Sequence, residues 1–259
     1  MQIAGFLKKV TTGASILACA MLAACSGNNA DAGRSSAAAA NSAPPVVAPA
    51  EPAHALVTVA ASAPESKEFA ERMVAVRQAP GVLRVAVLSA QPGPGPAGFR
   101  SLAILDFKDE PSLQQWMQTL SDPGVQVRQA DVLAHDASDS ADSAAPSSYY
   151  AVNHYEALVT PAEYKSYTEK YIVPNMAHQK STGALLAYTM YIERTPAGTN
   201  PTAVLVKQYG SPEAQARGEA AKEVYKEEVL LKQPEWKQIN DTKKSIRNDL
   251  TETFARVAN

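Results

Sequence analysis

The chain has 259 residues, 46% of them hydrophobic, with 24 Lys and Arg against 26 Asp and Glu and a formal net charge of −2 at pH 7. From residue 26 to 148 there are 8 basic and 13 acidic residues, and from 149 onward 14 basic and 13 acidic. Neither half is the basic surface that a phosphate backbone requires, so nucleic acid is set aside as a partner.

Residues 1–24 open with Lys8 and Lys9 and continue through an apolar stretch from Val10 to Ala24. That stretch is too short to span a bilayer and fits a secretory leader. It ends in Leu22-Ala23-Ala24-Cys25, followed by Ser26 and Gly27. This ending resembles the lipobox of bacterial lipoproteins. The resemblance implies cleavage before Cys25 and lipid attachment to its thiol. It also implies anchoring in the cell envelope, with Ser26 fitting the outer-membrane sorting pattern of enteric bacteria and a domain facing the periplasm. The remaining cysteine, Cys19, lies in the leader. The processed chain would then hold no free thiol for a disulfide, a nucleophile or a metal site.

Residues 25–54 form the next segment. From residue 26 they are Ala, Ser, Asn, Gly and Pro with almost no large apolar side chain, which predicts a disordered tether. As a flexible coil its ends would lie roughly 30 Å apart.

A first domain is expected over 55–134. Leu56, Val57 and Val59 suggest a strand, and Phe69, Met73 and Val76 at helical spacing predict a helix within 64–78. Strands follow over 82–89 and 100–108. Asp109 is placed to cap a helix carrying Leu113, Trp116, Met117 and Leu120, and a strand over 125–133 closes the unit. The order is βαββαβ. Residues 135–148 are an acidic Ser/Ala stretch read as a linker.

A second domain is expected over 149–259, and all ten tyrosines of the chain lie in it. A strand over 149–158 precedes Thr160-Pro161-Ala162-Glu163, a capping box with Pro at the first helical position. The helix carries Tyr164, Tyr167 and Tyr171, should be interrupted by Pro174, and ends at Gly183. A hairpin runs from there to Tyr209. Ser211 caps the next helix, Pro234 breaks it, a helical segment holds Trp236, Ile239 and Ile246, and Leu250 to Val257 suggests the last strand. Shifting the first hairpin by 102 residues sets Gly81 on Gly183, Leu83 on Leu185, Pro94 on Pro196, Phe107 on Tyr209 and Asp109 on Ser211.

Two βαββαβ units predict an α+β protein of two tandem ferredoxin-like domains, packed as an internal pseudo-dimer. The Tyr-rich opening strand, Ser181-Thr182-Gly183, the strand LLAYTMYIER and Pro234-Glu235-Trp236 resemble the dimeric α+β barrel superfamily, nearest its NIPSNAP-like members. Some members of that superfamily bind haem or oxidise polyphenols with polar and aromatic groups inside the barrel. The resemblance therefore implies a pocket lined by His154 with Tyr188 or Tyr191. Strand alternation puts His154 opposite Asn153, and Tyr188 opposite Tyr191, so only one of the two tyrosines can share a cavity with His154. His178 and the Tyr164/Tyr167/Tyr171 stripe read as packing, and Lys237, Lys243, Lys244 and Arg247 as a solvated helix face.

No catalytic group is assembled in the sequence. The residues favour a membrane-anchored, non-enzymatic envelope lipoprotein that binds or scaffolds a protein or small-molecule partner, with no cofactor and no metal. The alternative is a small-molecule enzyme of the dimeric α+β barrel type, a cofactor-independent oxygenase or a haem-handling protein, and haem enters only there.

Overall fold

The computed structural model describes residues 51–63, 67–120, 122, 124–136 and 147–258. The leader, Cys25 and most of the proposed tether lie outside them. The described part is α+β and contains two ferredoxin-like units. In the first, β1 (Ala53–Val59), α1 (Lys67–Ala75), β2 (Val82–Ala90), β3 (Ser101–Phe107), α2 (Glu110–Thr119) and β4 (Val125–His135) follow in order. In the second, β5 (Tyr149–Ala157) precedes α3 (Pro161–Tyr167) and α4 (Val173–Ser181), which are joined by a π-helical turn over Thr168–Ile172. Then come β6 (Leu185–Glu193), β7 (Thr202–Tyr209), α5 (Pro212–Glu228), α6 (Pro234–Thr242) and β8 (Arg247–Val257).

The two sheets are not merely stacked. They join into one closed antiparallel barrel in the order β1-β3-β2-β8-β5-β7-β6-β4, with β4 returning to β1. One seam is short, with Leu88, Ser89 and Ala90 opposite Val257, Arg256 and Ala255. The other runs from Ala130 opposite Glu193 to His135 opposite Thr189. Closure pairs the backbone groups that two open sheets would leave at their edges.

Period-two alternation then separates three cores. On the outer face of the first half, Val57, Val85, Leu105 and Phe107 pack under Phe69, Met73, Leu113 and Trp116 of the helices. On the outer face of the second half, Ala151, Tyr155, Leu205 and Tyr209 pack under Tyr164, Tyr167, Met176 and Trp236. Inside the barrel, Leu56, Leu88, Leu102, Ile104, Val152, Tyr191, Val204 and Val206 form a third cluster drawn from both halves.

The repeat is real, but the ungapped shift slips inside the first strand of each hairpin. Gly81 and Gly183 correspond, both with positive φ (80° and 71°). Beyond them, Ala184 is an extra residue, and the strands realign with Val82 against Phe107 and Leu185 against Tyr209. Each strand has a bulge one residue later, at Leu83 and Leu186. Leu83 thus matches Leu186, not Leu185. A bulged residue leaves the ladder, and these two leucines are 60% and 46% exposed. Asp109 and Ser211 cap α2 and α5 in the same way, accepting from the backbone N–H of Ser112 and Ala214.

Four boundaries differ from the sequence reading. β1 starts at Ala53, so Ala53 and His54 belong to the barrel and not to the tether. β4 runs on to His135, and Ser148 is buried against Gln208, so the segment read as a linker begins and ends inside the fold. α6 stops at Thr242, and Ile246 follows a short 3-10 turn rather than sitting in the helix. β8 begins at Arg247, three residues before the expected strand.

Candidate functional site

The second half has a cleft between its sheet and its helices. The capping box at the start of α3 is formed in full, Thr160 accepting from the Glu163 N–H while Glu163 accepts from the Thr160 N–H. This sets α3 so that Tyr164, Tyr167 and Tyr171 face the sheet. Pro174 has no N–H to donate and its ring would press on the preceding turn. The helix answers with the wider π turn over Thr168–Ile172 and continues. Tyr167 stacks on Tyr171 at 5.1 Å, and Tyr171 on Trp236 at 4.7 Å. The indole N–H of Trp236 donates to the Tyr171 carbonyl at 3.2 Å, fixing α6 against the π turn.

Cations surround this aromatic wall. The Arg247 guanidinium lies 3.8 Å over the Tyr155 ring. Lys243 lies 5.9 Å over the Tyr171 ring and donates to Asn240 Oδ1 at 3.3 Å. Lys207 projects from β7, only 6% exposed, with Glu219 at 3.0 Å and Glu252 at 3.7 Å. Lys222 and Lys226 complete the ring from α5, paired with Glu219 and Glu223. Together with Met176, Leu205 and Asn175 these groups enclose about 180 Å³. Asn175 is buried; its amide N–H donates to the Tyr171 carbonyl, while its Oδ1 has no partner.

The charges are held firmly. Burial alone would deprotonate Lys207, but Tyr209 and Glu219 keep its pKa above the ordinary lysine value. Burial likewise opposes the charge on Glu219, yet Lys207 and Lys222 hold it below the usual carboxylate range. Desolvation pushes the Tyr167 phenol well up, so it stays protonated. The cleft therefore presents fixed positive charge, one free buried acceptor and stacked rings. Its cations and stacked rings suit a flat aromatic anion.

A second cavity, of about 530 Å³, opens at one mouth of the barrel and is lined by His54, Arg84, Asp106, His135, Thr189 and Tyr191 with Pro52, Leu83 and Val132. His54 Nδ1 is 2.7 Å from Asp106 Oδ1, Arg84 Nε is 2.6 Å from Asp106 Oδ2, and Arg84 Nη2 donates to the Tyr191 hydroxyl at 3.0 Å.

The residues singled out in the sequence scatter. His154 and Tyr191 both point into the barrel, but Tyr191 sits at the His54 mouth. His154 lies instead toward loop 91–100, 6.0 Å from the Phe99 ring and 3.2 Å from Thr251 Oγ1. Burial pushes its pKa down to about 4. Tyr188 faces the helices on the opposite side of the sheet. Asn153, opposite His154 as alternation requires, bonds Glu252 at 3.0 Å. Neither the cleft nor the barrel-mouth cavity is lined by His154 or Tyr188. His178 stacks on Tyr225 at 4.1 Å, a packing role. The run read as one solvated face divides: Lys237 pairs with Asp241 outside, while Lys243 and Arg247 enter the cleft.

Sequence reasoning missed His54, Arg84 and Asp106, which stand on three different strands. It also missed Lys207, although a signal existed. The 102-residue shift sets Lys207 on Leu105, a core residue of the first half. A lysine at a core position of a repeat marks a place where the second copy departs from simple packing.

Haem does not fit the cleft. No histidine or cysteine lines it, and 180 Å³ is well below the roughly 300–1,000 Å³ of pockets for drug-sized ligands.

No family model and no curated protein matches the sequence. Solved structures do match in fold. An anthrone oxidase-like protein aligns with a TM-score of 0.52 at 14% identity, over 80% of this chain and 90% of that one. A monooxygenase candidate from Lactobacillus acidophilus NCFM aligns with a TM-score of 0.49 at 12% identity, over 80% and 94%. A haem-degrading enzyme from Listeria monocytogenes aligns with a TM-score of 0.36 at 13% identity, over 79% and 99%. The shared architecture is the ferredoxin-like dimeric α+β barrel, built here from both halves of one chain.

Proposed function

We propose that this protein is a small-molecule enzyme that binds a one-ring phenol in the second-half cleft as its phenolate and oxidises it with dioxygen, without a bound cofactor. The observation that carries the reading is the ring of cations around stacked tyrosine and tryptophan. A cavity of about 150 Å³ holds a benzene-sized ligand, so 180 Å³ limits the substrate to one ring with small substituents. Lys243 and Arg247 favour the ionised oxygen, and Tyr171 and Trp236, stacked on one another, form an aromatic wall beside it. Excluding water strengthens these interactions.

The chemistry needs little else. A phenolate is rich enough in electrons to reduce dioxygen. The ring carbon para to the oxygen loses its hydrogen and gains one oxygen atom. The second oxygen leaves as water with that hydrogen and the phenolic proton, giving a quinone. The name anthrone oxidase-like borne by a protein of the same fold agrees with an oxidation of this kind. The finer likeness to NIPSNAP-like proteins belongs to the same reading.

We also place the enzyme at a membrane. The ending Leu22-Ala23-Ala24-Cys25 supports lipid attachment at Cys25, and residues 26–50 would hold the barrel away from the bilayer, in the envelope and facing the periplasm. The membrane would then be its partner through the lipid alone.

A chromogenic phenol, 4-nitrophenol, tests the cleft. Titration at a pH where the free compound is mostly protonated should give the phenolate absorbance on binding. Lys243→Met should weaken binding about tenfold or more, the loss expected for a hydrogen bond to a charged group. His54→Ala, at the other cavity, should leave it unchanged. Absence of the phenolate band at saturating protein would overturn the reading.

A further inference from the structure

We propose that the barrel mouth is a separate proton-transfer site in which His54 is the base, acting on the acidic C–H beside the carbonyl of a small, largely apolar ketone or aldehyde. The geometry comes from three strands of the first half and one of the second. His54, Asp106 and Arg84 are paired neighbours across β1, β3 and β2, all on the inner face. Tyr191 reaches them from β6, its ring edge-on to His54 at 6.0 Å.

Each group has a place in the transfer. Asp106 accepts from Nδ1–H of His54, which leaves the lone pair on Nε2, and Nε2 has no hydrogen-bond partner among the described residues. A carboxylate that orients an imidazole in this manner also stabilises the imidazolium formed when it takes a proton. Burial opposes the charge on Asp106, but His54 and Arg84 outweigh it and hold the carboxyl below its ordinary range. Arg84 is spanned between Asp106 and the Tyr191 hydroxyl, so its positive charge sits at the same mouth as the base. The step is balanced without another reactant. The C–H bond breaks, its proton goes to Nε2, and its electron pair moves to the carbonyl oxygen as an enolate facing Arg84 and Tyr191. In deuterium oxide the proton on Nε2 exchanges with solvent, and delivery of a deuteron from Nε2 to carbon completes the exchange.

The lining sets the ligand class. Leu83, pushed out by its bulge, joins Pro52 and Val132 as an apolar rim, with His135 and Thr189 as the remaining polar neighbours. A purely structural ion pair would not require the imidazole to line a 530 Å³ cavity. The second half does not repeat the constellation: Tyr150 and Gln208 stand where His54 and Asp106 stand in the first.

Cyclohexanone in deuterium oxide is the probe, with incorporation at its α-carbons followed by NMR on the folded protein. The wild type should exchange about 100-fold or more faster than the same concentration of free imidazole, the usual size of positioned base catalysis. His54→Ala should lose this excess, and added imidazole should restore part of it. His54→Gln, which retains a hydrogen-bonding side chain toward Asp106, should remain folded by thermal melt and be equally inactive. Asp106→Asn should lower the maximal rate more than the half-saturating ketone concentration, marking Asp106 as a positioning residue. Wild-type exchange no faster than free imidazole, or exchange retained in folded His54→Gln, would overturn the proposal.

Discussion

His154 offers a test of the barrel interior that does not depend on any ligand. Its imidazole is packed beside Phe99 and Thr251, and burial lowers its pKa from 6.5 to about 4. The folded protein therefore resists protonating it, while the unfolded chain does not. Above the unfolded value both states hold it neutral and it contributes no pH dependence. As pH falls from 6.5 towards 4 the unfolded state binds a proton that the folded state refuses, so stability is lost across that window and levels off below it. Linkage at 1.36 kcal/mol per unit makes the full difference about 3 kcal/mol, of which about 2 is realised by pH 4.5. For a body of this size that corresponds to a fall in Tm of about 4–8 °C. The assay is a pair of melts at pH 7 and pH 4.5, for wild type and for His154→Gln, which cannot titrate. Other acid-sensitive groups are common to both proteins and drop out of the difference. The wild type should lose more than the variant by the stated amount. Equal losses, or an NMR titration of His154 near 6.5, would refute the claim that burial holds this imidazole neutral.

Two further outcomes follow from local geometry and a third from the sequence of the leader. Gly218→Ala should destabilise α5 by about 1 kcal/mol in urea unfolding, despite the better helix propensity of Ala. The reason is that a Cβ there would lie 2.8 Å from Gln179 Oε1 and 3.2 Å from Tyr209 Cε1, disturbing the bond between those side chains. Thr160→Ala removes the reciprocal cap of α3 and should cost about 1 kcal/mol by the same measurement, with Thr160→Ser restoring most of it. Cys25→Ser should abolish incorporation of a labelled fatty acid in cells, and equal labelling of mutant and wild type would remove the membrane anchor from the account.

The fold was legible because its signals are local. Asp109, Thr160 and Ser211 announce helix starts, Gly81 and Gly183 the left-handed turns, and the alternating runs the strands. Closure of the barrel was expected as packing of two sheets, since nothing local in Leu88 or Ala255 announces that their strands pair across the seam. The sites were less legible for the same reason. His54, Arg84 and Asp106 meet only because three strands pair in one register, and single-strand alternation can give each a face but no neighbour. The cleft lay closer to the surface of the sequence. Its tyrosine stripe is visible there as packing, which is correct for Tyr164 and Tyr167, while Tyr171 also lines the cleft. What escaped was that Arg247 belongs to a strand and Lys207 to a buried position, so that two residues of polar character converge on the stripe from the sheet.

The central claim is the oxidation in the second-half cleft, and oxygen uptake with 2,6-dimethylphenol tests it most directly. Supplied under ¹⁸O-labelled dioxygen, the wild type should consume one dioxygen per quinone formed and place one labelled atom in the quinone, while Lys243→Met should slow the reaction and His54→Ala should not. Uptake no greater than the protein-free rate, or unlabelled quinone, would contradict it.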